Sequence, residues 1–260
     1  MLLAVDAGNT SVAFGVFNNN NLVASFKLST NINRSVDEYG MLILEALKVN
    51  GFEQGLGEIK EAVLSSVVIK VTNPLKRALE KYIEVKPLMV DDSLNLGISL
   101  KCDNPKEVGS DRIASAVAAF NTYKSAVLIV DVGTATTIGV VNSKGEFIGG
   151  AICPGINLCL EALAQKTSKL PKISIEKPSG FIGANTKDNI LSGVFWGHIG
   201  QIEYIIKGIK SQMQEELVVV LTGGLSNVIC DFVKEVDFVK ETLTIEGLQI
   251  ISELNFENKK

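Results

Sequence analysis

Asp6 closes the apolar run Leu2 to Val5 and opens the string DAGNT. Asp131, 125 residues later, closes Ala126 to Val130 and opens DVGTAT. Two positions on, Gly8 and Gly133 suit a tight turn that a side chain would obstruct. Backbone N–H groups in such a turn, with the hydroxyls of Thr10, Ser11 and Thr134, are the donors that phosphate oxygens accept from. A carboxylate repels phosphate, so Asp6 points to a magnesium ion or its water shell. A third string, Thr222-Gly223-Gly224, ends the run LVVVL and opens a helical segment. A glycine pair there admits close approach of backbone to a ligand, and a helix N-terminus favours an anion. A fourth, Gly109-Ser110-Asp111-Arg112, precedes the apolar-periodic segment 113–123. Asp111 is placed either to take a proton from an alcohol or, with Ser110, simply to cap that helix.

One Asp-x-Gly turn by itself reads first as a hairpin turn and nothing more. The second copy shifts the reading towards two turns that grasp a polyphosphate. Aligned without a gap, VDAGNTSVAFGVF at 5–17 falls on VDVGTATTIGVVN at 130–142, with Thr10 against Ala135. An internal repeat of this kind sets the fold before any other feature does. There is no GxxxxGK[ST] and no GxGxxG in the chain.

The elements that must carry these strings follow from periodicity and turn residues. Strands are expected at 2–5, 11–17 and 22–28, closed by the asparagine cluster at 18–21. The capping box Ser35-Val36-Asp37-Glu38 opens a helix to about Val49. A strand at 62–68, a helix from Asn73-Pro74 to Tyr82 and a strand at 87–90 come next. Residues 91–108 lack periodicity and read as a connecting or substrate-facing loop. The second half repeats the pattern with strands at 126–130, 137–141 and 147–152, followed by helical material. That material includes a long helix over 189–209, a buried strand at 217–221, a helix to about Glu235 and another at 245–254. The terminal ENKK reads as a frayed tail.

Composition closes off several function classes. The chain has 260 residues, 46% apolar, and 25 Lys and Arg against 29 Asp and Glu, a net charge of −4. That balance lacks the positive field of sequence-independent nucleic-acid binding. No apolar run approaches the roughly 20 residues of a membrane span, and the N-terminus has no basic segment of a signal peptide. A cytoplasmic location follows. Cys102, Cys153, Cys159 and Cys230 show no metal-ligand spacing and read as buried free thiols in a reducing compartment. His198, the single histidine, reads as a packed or interface side chain, and Trp196 as core or dimer packing. Glu45, Glu161 and Glu203 are expected in solvent.

Six strings in order resemble type III pantothenate kinases, within the actin-like phosphotransferase superfamily, nearly end to end. They are DAGNT (6–10), NPKEVGSDR (104–112), DVGTATT (131–137), GGAICPG (149–155), GANT (183–186) and LTGG (221–224). The resemblance implies an α/β, actin-like (ribonuclease H-like) duplicated fold of two mixed-sheet halves, 1–123 and 124–260, with ATP in the cleft between them. It implies ATP-dependent phosphorylation of pantothenate to 4′-phosphopantothenate, the first step of coenzyme A synthesis, with Asp111 as base. Gly109, Ser110, Arg112 and Thr186 then line the pantothenate site, and Arg112 can pair its carboxylate. Asp6, Ala7, Gly8, Asn9, Thr10, Ser11, Val12, Ala13 and Thr134 match ATP contacts, joined by Gly223 and Gly224. Asp131 matches the ligand of a monovalent cation, K⁺ or NH₄⁺, beside Mg²⁺.

The match has departures. Cys102 stands where many relatives have a substrate-contacting Tyr, Ser110 where many have Ala, and SSVVIK at 65–70 where a proline is usual. A homodimer is implied, with the helix bearing Phe195, Trp196, His198 and Ile199 as the expected interface. Two rivals stay open: a sugar or small-alcohol kinase of the same fold, and a non-catalytic, regulatory actin-like nucleotide-binding protein.

Overall fold

The computed structural model describes residues 1–52 and 57–256, so the expectation of a frayed ENKK lies outside the described residues. In chain order the elements are β1 (Leu2–Ala7), β2 (Ser11–Asn18), β3 (Asn21–Ser29), α1 (Val36–Val49), β4 (Glu61–Ser66) and α2 (Ile69–Ala78). Then come β5 (Leu88–Met89), β6 (Ser99–Leu100), α3 (Ser110–Tyr123), β7 (Val127–Val132), β8 (Ala135–Val141) and β9 (Glu146–Pro154). The last are α4 (Ile156–Lys166), α5 (Thr186–Gln212), β10 (Val218–Thr222), α6 (Ser226–Ile229), β11 (Phe238–Val239) and α7 (Leu243–Phe256). They form two compact units: residues 1–122 with the segment from Leu243 onward, and residues 123–242.

In the first unit the strands lie in the order β3-β2-β1-β4-β5, with β1 antiparallel to β2 and parallel to β4. Side chains alternate across a strand, and the two faces of this sheet are covered by different helices. Leu3, Val5 and Ala7 of β1 join Val12, Phe14, Leu64 and the α1 and α2 residues Tyr39, Ile43 and Leu75 in one core. Leu2 and Ala4 join Val63 with Ile113 and Val117 of α3 and Ile245, Leu248 and Ile251 of α7 in the other. Helix α7 therefore belongs with the first unit, although the sequence reading gave 124–260 wholly to a second half. Burial drives this assignment, since each of those aliphatics contributes roughly 1.5–3 kcal/mol when removed from water. Two glycines admit it: a Cβ at Gly15 would strike Ile245, and one at Gly247 would strike the backbone of Ala114.

The second unit repeats the strand order as β9-β8-β7-β10-β11, with β7 antiparallel to β8 and parallel to β10. Leu128, Val130 and Val132 face Ile156 and Leu160 of α4 and Phe195, Ile199 and Ile202 of α5. Phe195, His198 and Ile199, expected at a dimer interface, are buried in this core instead. Trp196 is half-buried against Phe181, Phe195 and Phe232.

Boundaries moved where side chains overrode simple signals. Helix α2 starts at Ile69, ahead of Asn73-Pro74, because its first turn is tied by Thr72 Oγ1 donating to Val68 O and sharing a hydrogen bond with Ser66 Oγ. The helix expected after the Gly-Gly turn shrinks to α6 and one 3₁₀ turn at Cys230–Phe232. The loop 91–108 contains β6 and a 3₁₀ turn at Pro105–Glu107. All four cysteines are free thiols, but only Cys153 is buried; the other three are half-buried. Glu45 and Glu161 are exposed as expected, whereas Glu203 is half-buried and accepts the Lys234 N–H at 3.0 Å.

Candidate active site

Alternation along β1 puts Asp6 on the α3/α7 face, and the parallel register sets it beside Ser65 of β4. Ser65 is fully buried and its hydroxyl donates to Asp6 Oδ1 at 2.7 Å. Ser65 Oγ also lies 2.9 Å from Ser110 Oγ, which accepts the Ser66 N–H at 3.1 Å. The Ser110 hydroxyl thus reaches across to β4, so the proposal that it caps the helix is not what the side chain does. Asp111 comes closer to that role, since its Oδ1 accepts the Arg112 N–H at 2.7 Å. A Cβ on Gly109 would sit 2.5 Å from that oxygen, so glycine is what lets the carboxylate fold back over the first turn.

Burial pushes the Asp111 carboxyl above the usual carboxylate range, against the opposing pull of the Arg112 N–H and guanidinium. Burial also draws Arg112 downward, while Asp111 and Cys102 nearby pull it back up; a guanidinium remains a cation regardless. The first unit therefore brings together Cys102, Gly109, Ser110, Asp111 and Arg112, a raised carboxylate next to a fixed positive charge. Such a group is a better proton acceptor than a solvent-exposed Asp.

The turn 8–10 closes with Gly8 N–H donating to Ser11 O at 3.0 Å, and Thr30 Oγ1 donates to Gly8 O at 2.6 Å. Asn9 and Thr10 are exposed. Ala7 and Val12 are wholly buried in the α1/α2 core, so what they can offer a ligand is backbone alone. Gly8 is less constrained than its place in the string implies. Its φ is not left-handed, and a Cβ would meet only Ser11 O, at 3.3 Å.

In the second unit Asp131 is half-buried, on the sheet face opposite the α4/α5 core, and its register partner on β10 is Thr222. Gly223 follows at φ +97°, where a Cβ would strike Asp131 Oδ1 and the Val132 backbone. A side chain at Gly223 would force backbone to move. Leu225 N–H donates to Val132 O and Ser226 Oγ to Gly223 O, fixing the turn on the end of β7. With only four residues, α6 supplies little of the dipole that favours an anion. Gly133 N–H closes its own turn onto Ala135 O at 3.1 Å, and Gly155 N–H donates to Thr134 O at 3.1 Å. Thr134 is exposed, as is Thr186 at the start of α5 behind its Asn185 cap.

The registers correct the repeat. Asp6 pairs with Ala13 but Asp131 pairs with Thr137, so the second hairpin is one residue shorter. Asn9 has no counterpart, and Thr10 corresponds to Thr134 rather than to Ala135. The signal was available: with that gap Gly15 also falls on Gly139. Sequence reasoning missed Ser65 as well as Thr136, whose Oγ1 shares a buried hydrogen bond of 2.9 Å with His198 Nε2.

Two mixed sheets that share a five-strand order, each with an aspartate one residue before the end of its first strand and a glycine turn after it, give the actin-like fold. Solved structures share this fold. A ROK hexokinase from Thermus thermophilus matches at TM-score 0.54 and 14% identity over 99% of both chains. The ethanolamine utilization protein EutJ from Carboxydothermus hydrogenoformans matches at TM-score 0.57 and 18% identity, over 96% of this chain and 88% of its own. Within this fold class, residues 2–208 match the type III pantothenate kinase family. The type III pantothenate kinase of Geobacter sulfurreducens is 41% identical over 257 residues, 99% of this chain and all of that one. The chain belongs to the type III pantothenate kinase family.

Proposed function

We propose that this chain transfers the γ-phosphoryl group of ATP to the primary hydroxyl of pantothenate, giving 4′-phosphopantothenate and ADP, the entry into coenzyme A synthesis. End-to-end likeness to a pantothenate kinase carries the activity. The half-buried, raised Asp111 carboxylate supports the assignment of the base. As the new O–P bond forms, the hydroxyl proton passes to Asp111, and the bond from phosphorus to the β-phosphate oxygen breaks. Arg112 pairs the pantothenate carboxylate, a charge-assisted contact that orients the substrate. Gly109, Ser110, Cys102 and Thr186 complete the substrate contacts.

ATP is bound by Asp6 to Ala13, by Thr134 and by the Gly223-Gly224 turn, with backbone serving at Ala7 and Val12. Family membership brings a divalent ion with ATP. Among the described residues no group of three or more His, Cys, Asp or Glu comes together as a metal cage. Mg²⁺ is usually held by one or two carboxylates plus substrate phosphates, and Asp6, half-buried and hydrogen-bonded by Ser65, fits that donor set. Mg²⁺ there would neutralise phosphate charge. Asp131 holds K⁺ or NH₄⁺, its carboxylate oxygen being a hard donor suited to such an ion.

The partners are small molecules and a second copy of the chain; neither nucleic acid nor membrane is among them, and the location is cytoplasmic. The net charge of −4 supports the first exclusion. Among the described residues no helix is long and apolar enough to cross a membrane. The homodimer rests on family resemblance, since the α5 residues expected at the interface are buried in their own unit. Light scattering at micromolar concentration should give twice the mass of 27.9 kDa; a fully active monomer would remove the dimer.

ADP release with pantothenate as acceptor, run in K⁺ and again in Na⁺, tests the whole reading. Turnover with pantothenate that is stronger in K⁺ is expected. Phosphorylation of a sugar with none of pantothenate would overturn it.

A further inference from the structure

We infer that Ser65 and Ser110 are positioning residues that couple the phosphate-side carboxylate Asp6 to the turn that carries the base. This rests on the roles given above to Asp6 and Asp111. The geometry sets the direction of every bond. Ser65 has one hydroxyl proton and gives it to Asp6 Oδ1 at 2.7 Å. In its 2.9 Å contact with Ser110, Ser65 is therefore the acceptor and Ser110 the donor. Ser110 Oγ in turn accepts the Ser66 N–H at 3.1 Å. The chain runs one way, from Ser66 N–H through Ser110 and Ser65 to the Asp6 carboxylate, and hydrogen bonds aligned in this way polarise one another.

The chain exists because a strand stops early. Strand β5 pairs only with Val63 and Leu64 of β4. The Ser66 N–H, two residues further on, finds its acceptor in the first residue of α3 instead of in a neighbouring strand. The side chain that completes the sheet edge is thus covalently next to Asp111. A shift of α3 along its axis would move Asp111 and break the Ser66–Ser110–Ser65 links together. Neither serine was required by the turn chemistry of its own segment, and Ser65 is wholly buried, where a hydroxyl without partners would be unfavourable.

The test uses the full chain with Ser110→Ala, Ser65→Ala, the double variant and Ser110→Thr. Ser110→Ala and Ser65→Ala should each lower kcat about tenfold (~1.4 kcal/mol), and Ser65→Ala should leave the KM for pantothenate within about twofold. The double variant should be no slower than the slower single one, because either change opens the same chain. Ser110→Thr keeps the hydroxyl and should restore most of kcat. Exchange of the Ser66 amide proton should speed up in Ser110→Ala and not in Ser110→Thr. Additive losses in the double variant, unchanged kcat in Ser110→Ala, or a Ser110→Thr as slow as Ser110→Ala would each overturn the coupling. Asp111→Asn is run alongside: if it keeps full turnover, the reading of the base fails. If it loses turnover while the serine variants do not, only the coupling fails.

Discussion

The two strand ends that carry Asp6 and Asp131 have the same topology and opposite surroundings. Both aspartates sit one residue before the end of the first strand, and both pair across a parallel ladder with a hydroxyl residue, Ser65 or Thr222. Beyond that pair the units diverge. In the first, the chain leaves Ser65 through residues with side chains, and hydroxyls link it to α3 and so to Asp111. In the second, it leaves Thr222 through Gly223, whose missing side chain lets backbone lie against the aspartate itself. A duplicated scaffold thus carries a turn tied through side-chain hydroxyls to the segment of Asp111 in one unit and a backbone-lined turn in the other. The same contrast recurs under the hairpins. Val12 packs in the apolar core of the first unit, while its counterpart Thr136 needs His198 as a buried polar partner.

The largest expected effect tests the base. Asp111→Asn should lower kcat by about 10²–10⁴-fold and leave Tm unchanged or higher. The direction follows from the raised pKa. A carboxyl whose folded pKa lies above its unfolded value contributes stability at low pH that is lost as pH rises through the folded pKa. Above the folded pKa the ionised Asp111 therefore opposes folding, and asparagine removes that opposition. The acid limb of kcat/KM should also lie above the usual carboxylate range. A limb in the ordinary range, or a variant with wild-type turnover, would remove the special status of the first strand end.

Next come the glycines. Gly223→Ala adds left-handed strain and a clash with Val132 and Asp131, and should destabilise by roughly 2–5 kcal/mol, read by chemical denaturation. Gly8→Ala, with neither problem, should fall within about 1 kcal/mol. Equal effects would mean that the two turns are constrained alike.

A smaller effect than that at Gly223 concerns the buried pair. Thr136→Val strands the imidazole and should destabilise by about 1–3 kcal/mol. The double variant Thr136→Val/His198→Leu, which copies the apolar solution of Val12, should recover most of the loss. Burial lowers the His198 pKa. The contribution of its neutral form is therefore present above the unfolded value of about 6.5 and erodes as pH falls towards the folded pKa. Wild type should lose stability over that window relative to the double variant; parallel pH curves would show that His198 titrates freely.

Much of the scaffold was legible because it depends on local pattern. Alternation and turn residues placed the three-stranded openings of both halves, and the capping box at Ser35-Glu38 forms with both of its hydrogen bonds. The strand-end aspartates, Gly223 and the segment 109–112 were legible for a related reason: turn chemistry restricts residue type at fixed spacing. Membership of the family followed from six such strings in order. The start of α2, the brevity of α6 and the side of the molecule to which α7 belongs were not legible. The packing of α7 depends on residues distant in sequence, whereas the start of α2 rests on hydroxyl hydrogen bonds of Ser66 and Thr72 that periodicity does not register.

The sequence by itself determined where the strands give way to turns, since turn and hydrogen-bonding preferences act within a few residues. The tertiary structure fixed the one-residue gap that aligns Thr10 with Thr134, because register is counted across a hairpin; the sequence carried it only in the match of Gly15 to Gly139. The tertiary structure also joined Ser65 to Ser110, 45 residues apart, and Thr136 to His198, 62 apart. It buried Asp111 enough to raise its pKa, since desolvation is set by everything that packs around a group and by no residue's own neighbours in the chain.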